Sequence, residues 1–373
     1  MRFLILDTDY PEFLNWLYAE HPGLGKKPYR EQMQVRLESL FGHAGFYAIN
    51  LSKLGHEAHD IYPNNEPMQK AWAKEHGLKL HSDWRWQFRL RREIVPWLSR
   101  VRESHWSYDI LAAQIRYYSP DVVLNLVMDG LSSRFLQEMK RYFRLLVGQH
   151  AATQLSDTED WAVYDLVVSS MPSTVHWFRS RHVPAALNRL GFEPHVLSCL
   201  MDGETSIPAS FIGSFHSVHS TRIEWLEHIC SKSQVQVWSS HVDHLPASSY
   251  IRRSYVGPAW GREMYQVLRN SLLTLNHHGN VPPFANNLRL FEATGIGALL
   301  ITDWKENLPA IFEPGREVIP YRSPEECAEL VRYYLEHEDE RQAIARAGQA
   351  RTLRDHTYYQ RMQSLVEIVS RFL

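Results

Sequence analysis

The residues with the clearest chemical use cluster between Asn286 and Asp303, in the run NNLRLFEATGIGALLITD. Asn286 and Asn287 are capping types for a short helix that carries Arg289 and, in its last turn, Glu292. Gly295 and Gly297 break that helix, and the apolar stretch from Ala298 to Thr302 reads as a buried parallel strand. Free N–H groups at a helix start attract anions. A carboxylate one to two turns further on can take two vicinal hydroxyls, so the two features together suit the phosphates and ribose of a nucleoside diphosphate. A buried carboxylate needs hydrogen bonds or a cation, so an ion pair with Arg289, or a surface position, is the competing use of Glu292.

Three further groups carry polar residues at expected strand ends. Arg222 follows the strand SFIGSF and the loop HSVHS, and Thr221 with Glu224 reads as a capping box, which makes Arg222 the first helical residue. A cation there opposes the helix dipole by a few tenths to about 1 kcal/mol, and a diphosphate in front of the helix would reverse the sign. Gly213 would let that loop approach phosphates; an exposed arginine reaching a carboxylate is the alternative. His277 and His278 follow SLLTLN, at the carboxyl end of a strand, where open α/β sheets place ligand loops; a plain Gly–Asn turn is the alternative. Adjacent histidines on a loop do not point the same way, so no metal site is expected of them. His150, after LLVGQ, and Asp129, after LNLVM, are candidate catalytic groups in the first half, where a satisfied structural histidine is an equal use of His150. Trp84 to Arg102 is basic and aromatic-rich, fit for peripheral contact with an anionic membrane or for a solvated helix face with buried tryptophans.

The elements that must position these groups are legible in outline. A chain of 373 residues with 44% apolar content suits two ordinary domains. A net charge of −2 excludes a global pull toward nucleic acid. Three dispersed cysteines argue against a disulfide framework or zinc site. The N-terminus MRFLILD enters a strand with no signal-peptide pattern, and no run is apolar enough to span a membrane, so a cytoplasmic location is expected. Strands are predicted at Arg2–Asp7, Glu57–Tyr62, Asp121–Leu126, Leu145–Gln149 and Asp165–Ser170, then at Ser210–Phe215, Gln234–Trp238, Ser271–Asn276 and Ala298–Thr302. They lack clean alternation, as do strands buried on both faces of a parallel sheet. An irregular insert is expected to about Arg30, then a long helix to Leu54; Ser323, Pro324 and Glu326 mark another helix start. Two such series predict an α/β protein with two Rossmann-like domains facing across a cleft.

The asparagine turn, R-L-F-E-A, glycine turn and strand ending in T-D resemble the donor-nucleotide motif of group 1, GT-B glycosyltransferases, in particular the CgeB-type (spore-maturation-protein-like) branch. Gly42 to Tyr62, with Gly42, Gly45 and the L-G-H-E strand start, resembles the glycine loop of the same enzymes. The resemblance implies an acceptor-binding domain over 1–203, a nucleotide-sugar domain over 204–355 and a C-terminal helix, 356–373, crossing back. It implies a nucleotide-sugar donor, an acceptor that stays unspecified, a bacterial envelope or surface glycan setting, and neutralisation of the leaving nucleotide by basic residues rather than by a metal cofactor. In this chain Phe284 stands where retaining members carry an earlier glutamate, which leaves sugar and stereochemistry open. A non-catalytic nucleotide-sugar or glycan-binding protein, and a nucleotide-sugar epimerase on the same fold, are the other classes.

Overall fold

The computed structural model describes all residues except 92–94, 152–154, 156–158, 204–205, 216–219, 241 and 280–283. The chain opens with β1 (Arg2–Leu6), α1 (Pro11–Glu20), α2 (Tyr29–Glu38), α3 (Phe46–Lys53), β2 (Glu57–Ile61) and α4 (Glu66–Glu75). It continues through β3 (Ser82–Arg91), β4 (Val95–Ser104), α5 (Trp106–Tyr118), β5 (Val122–Asn125), α6 (Ser133–Met139), β6 (Leu145–Gln149), β7 (Leu166–Ser169), α7 (Pro172–Arg179) and β8 (Ala185–Leu187). The second half holds β9 (Ile207–Ile212), α8 (Ser220–Lys232), β10 (Gln236–Trp238), α9 (Tyr250–Ser254), β11 (Tyr255–Gly257), α10 (Arg262–Arg269) and β12 (Ser271–Asn276). It ends with α11 (Arg289–Ile296), β13 (Leu299–Asp303), β14 (Ile319–Tyr321), α12 (Pro324–Glu336), α13 (Glu338–Asp355) and α14 (Tyr358–Val369).

Two six-stranded sheets result, ordered β2-β1-β5-β6-β7-β8 and β11-β10-β9-β12-β13-β14. Every pairing in both is parallel. The reason is in the side chains: β5, β7 and β13 are buried along their whole length, which only a sheet covered on both faces allows. One apolar core runs from the first sheet (Phe3, Val147) through Tyr358, Met362 and Leu365 of α14 to Leu290, Phe291 and Leu300 of the second unit. A separate core under α8 and α12, with Leu226, Ile229 and Val331, covers the far face of the second sheet.

The chain crosses between the sheets twice, and the crossings are tied. Phe192 N donates to His356 O at 2.8 Å and Tyr358 N donates to Phe192 O at 2.9 Å. A second contact joins the units elsewhere: Arg262 N donates to Ser39 O at 2.7 Å, and Trp260 packs edge-on against Phe41 with ring centroids 5.3 Å apart.

Several local expectations are corrected. The stretch before Leu54 is two helices, α2 and α3, parted by the Gly42–Gly45 turn, and the supposedly irregular insert contains α1. The α1–α2 segment is ordered by a buried ion pair, Arg36 Nη2 to Asp9 Oδ1 at 2.5 Å, with the guanidinium 4.0 Å from the Tyr62 ring centroid. The described residues of Trp84 to Arg102 belong to an antiparallel pair of strands, β3–β4, in register from Ser82–Ser104 to Arg91–Val95, and not to a helix. Strand β9 begins at Ile207 and ends at Ile212, so the SFIGSF strand lies partly in the loop beyond it.

Candidate functional site

The Arg289–Ile296 helix places Glu292 in its first turn, not its last, with Asn287 Oδ1 accepting from Leu290 N at 3.3 Å. Gly295 does not break it: the helix runs on to Ile296, and Gly297, with φ of 93°, closes it in the left-handed conformation that favours glycine. Glu292 is buried at 8% exposure and both carboxylate oxygens are engaged. Oε2 pairs with Arg289 Nη1 at 2.9 Å and Oε1 accepts from the Tyr265 hydroxyl at 3.4 Å. The ion pair with Arg289, the competing use of Glu292, is therefore formed. Ribose hydroxyls would enter as added donors beside Arg289 rather than onto a bare carboxylate.

Arg222 lies in the first turn of α8, which starts at Ser220, so neither Thr221 as N-cap nor Arg222 as first helical residue holds. Its side chain is not exposed. It turns inward at 8% exposure and donates to Ser214 O at 3.0 Å and His277 O at 2.9 Å, bridging the carboxyl ends of β9 and β12. Among the described residues no carboxylate lies within ion-pair distance, and Nε has no acceptor. Burial lowers its pKa to about 10, with Asp303 acting in the opposite direction. A guanidinium so placed is a fixed positive charge in want of an anion. Gly213 sits against it: a Cβ there would lie 3.6 Å from Arg222 Nη1 and 3.0 Å from the Phe211 ring.

His277 and His278 diverge, as two adjacent loop residues must. His277 Nδ1 accepts from Gly279 N at 2.9 Å, and its ring lies 5.0 Å from that of Trp225. Burial lowers its pKa to about 4, so it is neutral at pH 7. His278 points to Asp303, Nδ1 to Oδ1 at 2.5 Å, and Lys305 reaches the other oxygen at 3.2 Å. Burial acts to raise the Asp303 carboxyl, but the His278 hydrogen bond and the His278, His277 and Lys305 charges outweigh it and hold it at about 2. His277, Asp303 and Lys305 edge a cavity of about 590 Å³ that also takes in Trp304, Arg322 and Ser323. Asp303, Lys305 and Arg322 were not singled out from sequence; only the strand-end position of Asp303 hinted at them. Among the described residues no group of three or more His, Cys, Asp or Glu is placed to hold a metal ion.

Across the cleft, Asn286 Nδ2 donates to Ala151 O at 3.3 Å, so the start of the Glu292 segment meets the residue after His150. His150 is buried at the end of β6, its N–H bonded to Val168 O. Asn287 turns the other way, to Asn276 Oδ1 at 2.8 Å. Asp129 sits exposed on a short 3-10 turn after β5, and among the described residues no hydrogen bond or ion pair brings it to the cleft. Gly42 and Gly45 have φ of 60° and 74°, values that favour glycine, and shape the turn that starts α3. Between them stands His43, missed in the sequence because its flanking glycines drew the reading. Its Nδ1 lies 3.0 Å from the Tyr358 hydroxyl. Burial lowers its pKa, while Asp7, at the end of β1, and Glu292 pull the other way. His43 thus lies within electrostatic reach of carboxylates from both units.

Residues 221–367 match the family described as Glycosyl transferase-like. No curated protein matches the chain. Among solved structures, the chain is similar to HepE of Anabaena in complex with UDP-glucose, at 11% identity and a TM-score of 0.56 over 100% of both chains. It is similar to a glycosyltransferase of Rickettsia africae, at 9% identity and TM-score 0.59, covering 100% of this chain and 98% of that one. It is also similar to sucrose-phosphate synthase of Thermosynechococcus elongatus, at 11% identity and TM-score 0.56, again over 100% and 98%. Identities this low speak for architecture, and the architecture is that of the GT-B fold: two α/β units, each built on a six-stranded parallel sheet.

Proposed function

We propose that this protein is a GT-B glycosyltransferase that transfers a sugar from a nucleoside-diphosphate donor without a divalent metal. The observation that carries the reading is Arg222: buried, unpaired with any described carboxylate, and fixed where two strand ends converge. In this reading Arg222 and the N–H groups of α8 and α11 take the diphosphate, and Arg289 and Glu292 face the ribose. As the glycosidic bond breaks, charge builds on the leaving phosphate, and preorganised cations stabilise it without reorganisation. His43 and His150 border the acceptor side. His43, whose pKa burial lowers, is suited to take a proton from an acceptor hydroxyl. The CgeB-type branch, an envelope or surface-glycan acceptor, a cytoplasmic location and peripheral membrane contact through the β3–β4 hairpin belong to the same reading. HepE was solved with UDP-glucose, which makes a uridine nucleotide the first to try.

One observation favours a second reading, a nucleotide-sugar-binding protein without transfer: Phe284 supplies no carboxylate toward the sugar, and Glu292 is already engaged by Arg289 and Tyr265. One experiment separates the two. Melting temperature is measured with UDP, GDP, ADP, CMP and TDP, and the nucleotide sugars of the best stabiliser are then tested for turnover in excess EDTA. One nucleotide should raise the melting temperature, as binding to the native state alone does, and turnover should survive EDTA. Binding without any turnover supports the second reading; turnover lost in EDTA and restored by magnesium or manganese removes Arg222 as the neutralising group.

A further inference from the structure

Asp60, in the edge strand β2, has no hydrogen bond and no ion pair among the described residues. It lines a cavity of about 480 Å³ walled by α2, α3, β2 and the end of α5. Apart from Asp60 and His59, the wall is largely apolar or aromatic, with Tyr29, Met33, Leu37, Ile49 and Tyr118. Gly45 lies beside it, where a Cβ would come within 3.4 Å of Asp60 Oδ2. The cavity therefore lies against the Gly42–Gly45 turn but shares no lining residue with the His277 and Asp303 cavity.

A carboxylate facing an apolar wall is unfavourable unless something supplies the missing partner. The protein does not. The nearest cation acting on Asp60 is Arg36, and that guanidinium is spent on Asp9, at 3.2 and 2.5 Å, and on Phe41 O at 3.0 Å. His59 is turned to Glu57, with Nε2 to Oε1 at 3.1 Å. Burial pushes the Asp60 carboxyl up to about 7, opposed by Arg36 and reinforced by Asp7. Two tyrosine rings border the space, and aromatic faces attract cations.

We propose that this cavity binds a small ligand with an apolar body and a protonated amine, the ammonium pairing with Asp60 and the body lying against Tyr29, Met33 and Tyr118. The charge, the free carboxylate and the aromatic wall all select the same chemistry. A neutral alcohol of the same shape fills the space but leaves the carboxylate uncompensated.

The test uses phenethylamine and its neutral counterpart phenethyl alcohol as probes, titrated calorimetrically into the full chain at pH 8. The amine should bind about tenfold tighter or more, as for a charge-assisted hydrogen bond. Asp60→Asn keeps the shape and should remove that preference without lowering the melting temperature. Ile49→Trp, at the half-exposed rim, should block both probes. Equal affinities, no binding of either probe to the wild type, or a preference that survives in Asp60→Asn overturns the proposal. A parallel nucleotide titration keeps the outcomes separate: Asp60→Asn should leave nucleotide affinity unchanged, so the amine pocket and the transferase reading stand or fall independently.

Discussion

At Arg222, burial and bonding act in opposite directions. Losing water destabilises the guanidinium, while Ser214 O and His277 O each recover part of that loss. Truncation to alanine would strip two carbonyls of their donor and confuse folding with function. Arg222→Gln is the cleaner change, because an amide reaches one of the two carbonyls and carries no charge. The mutant should melt within a few degrees of wild type, since about 1 kcal/mol is lost with one hydrogen bond and some desolvation cost is relieved. Its affinity for the nucleoside diphosphate should fall more than tenfold, by about 1.5–3 kcal/mol, while affinity for the bare nucleoside holds. A parallel loss for nucleoside and nucleoside diphosphate would show that Arg222 shapes the pocket and does not meet phosphate. The sequence exposed the residue type and the neighbourhood here but not the burial. Nothing in HSVHSTRIE tells whether an arginine near a helix start turns out to water or in between two strand ends. His43 and Asp60 were hidden for the same reason: their importance comes from what long-range packing places around them, Tyr358 in one case and an apolar wall in the other.

Among the elements, those set by local rules were legible and those set by distant partners were not. Leu145–Gln149 and Ser271–Asn276 are strands at the predicted bounds, because continuous apolar runs leave little choice of register. Ser323 caps α12 through Glu326 N at 3.2 Å, with Pro324 in the first turn, as the residue types dictate. Gly295 misled, since its lack of a side chain serves contact: a Cβ there would lie 2.4 Å from the Phe192 ring. The β3–β4 hairpin was legible and was missed: Trp84, Trp86, Phe88 and Leu90 alternate strictly with Arg85, Gln87, Arg89 and Arg91, the two-residue period of a strand, but the clustered basic and aromatic residues suggested a helix face. The junction of α13 and α14 has its own testable property. His356 Nε2 donates to Ile311 O at 2.9 Å, and Nδ1 accepts from Arg361 at 2.8 Å. Burial lowers the pKa to about 4, and Arg361 adds to the effect. A histidine whose folded pKa is depressed contributes stability above its unfolded value of about 6.5 and loses it as pH falls toward the folded value. Measured against His356→Gln, the wild-type advantage in melting temperature should therefore shrink between pH 7 and pH 5. The loss should be roughly 2 kcal/mol, about 1.4 for each pH unit below 6.5. A pH-independent difference would mean that His356 titrates normally.

For the whole molecule, the Ser39–Gly261 contact reports whether the two units close on each other in solution. Gly261 has φ of 50°, and a Cβ there would lie 2.0 Å from Ser39 O. Gly261→Ala cannot keep that approach, and it also places a side chain in the left-handed region. Overpacking of this kind typically costs about 1–3 kcal/mol. The mutant should melt lower and show a larger radius of gyration by small-angle scattering, as the units part at this edge. Unchanged scattering and stability would show that the contact is not held in solution.

The tie between Phe192 and the His356–Tyr358 segment has a consequence for how the chain is made. Topologically, the second unit is a long excursion whose exit and return lie side by side, and α14 then goes back to pack with α3 of the first unit. On the ribosome the amino-terminal sheet emerges early, yet Phe46 and Tyr47 wait for Tyr358 and Met362, more than three hundred residues later, to cover them. Domains ordinarily complete in order of synthesis. Here the first domain acquires its last helix only after the second has been translated, so a nascent chain carries an exposed apolar face through most of its synthesis, and any stall before Tyr358 leaves that face open to aggregation or to a chaperone.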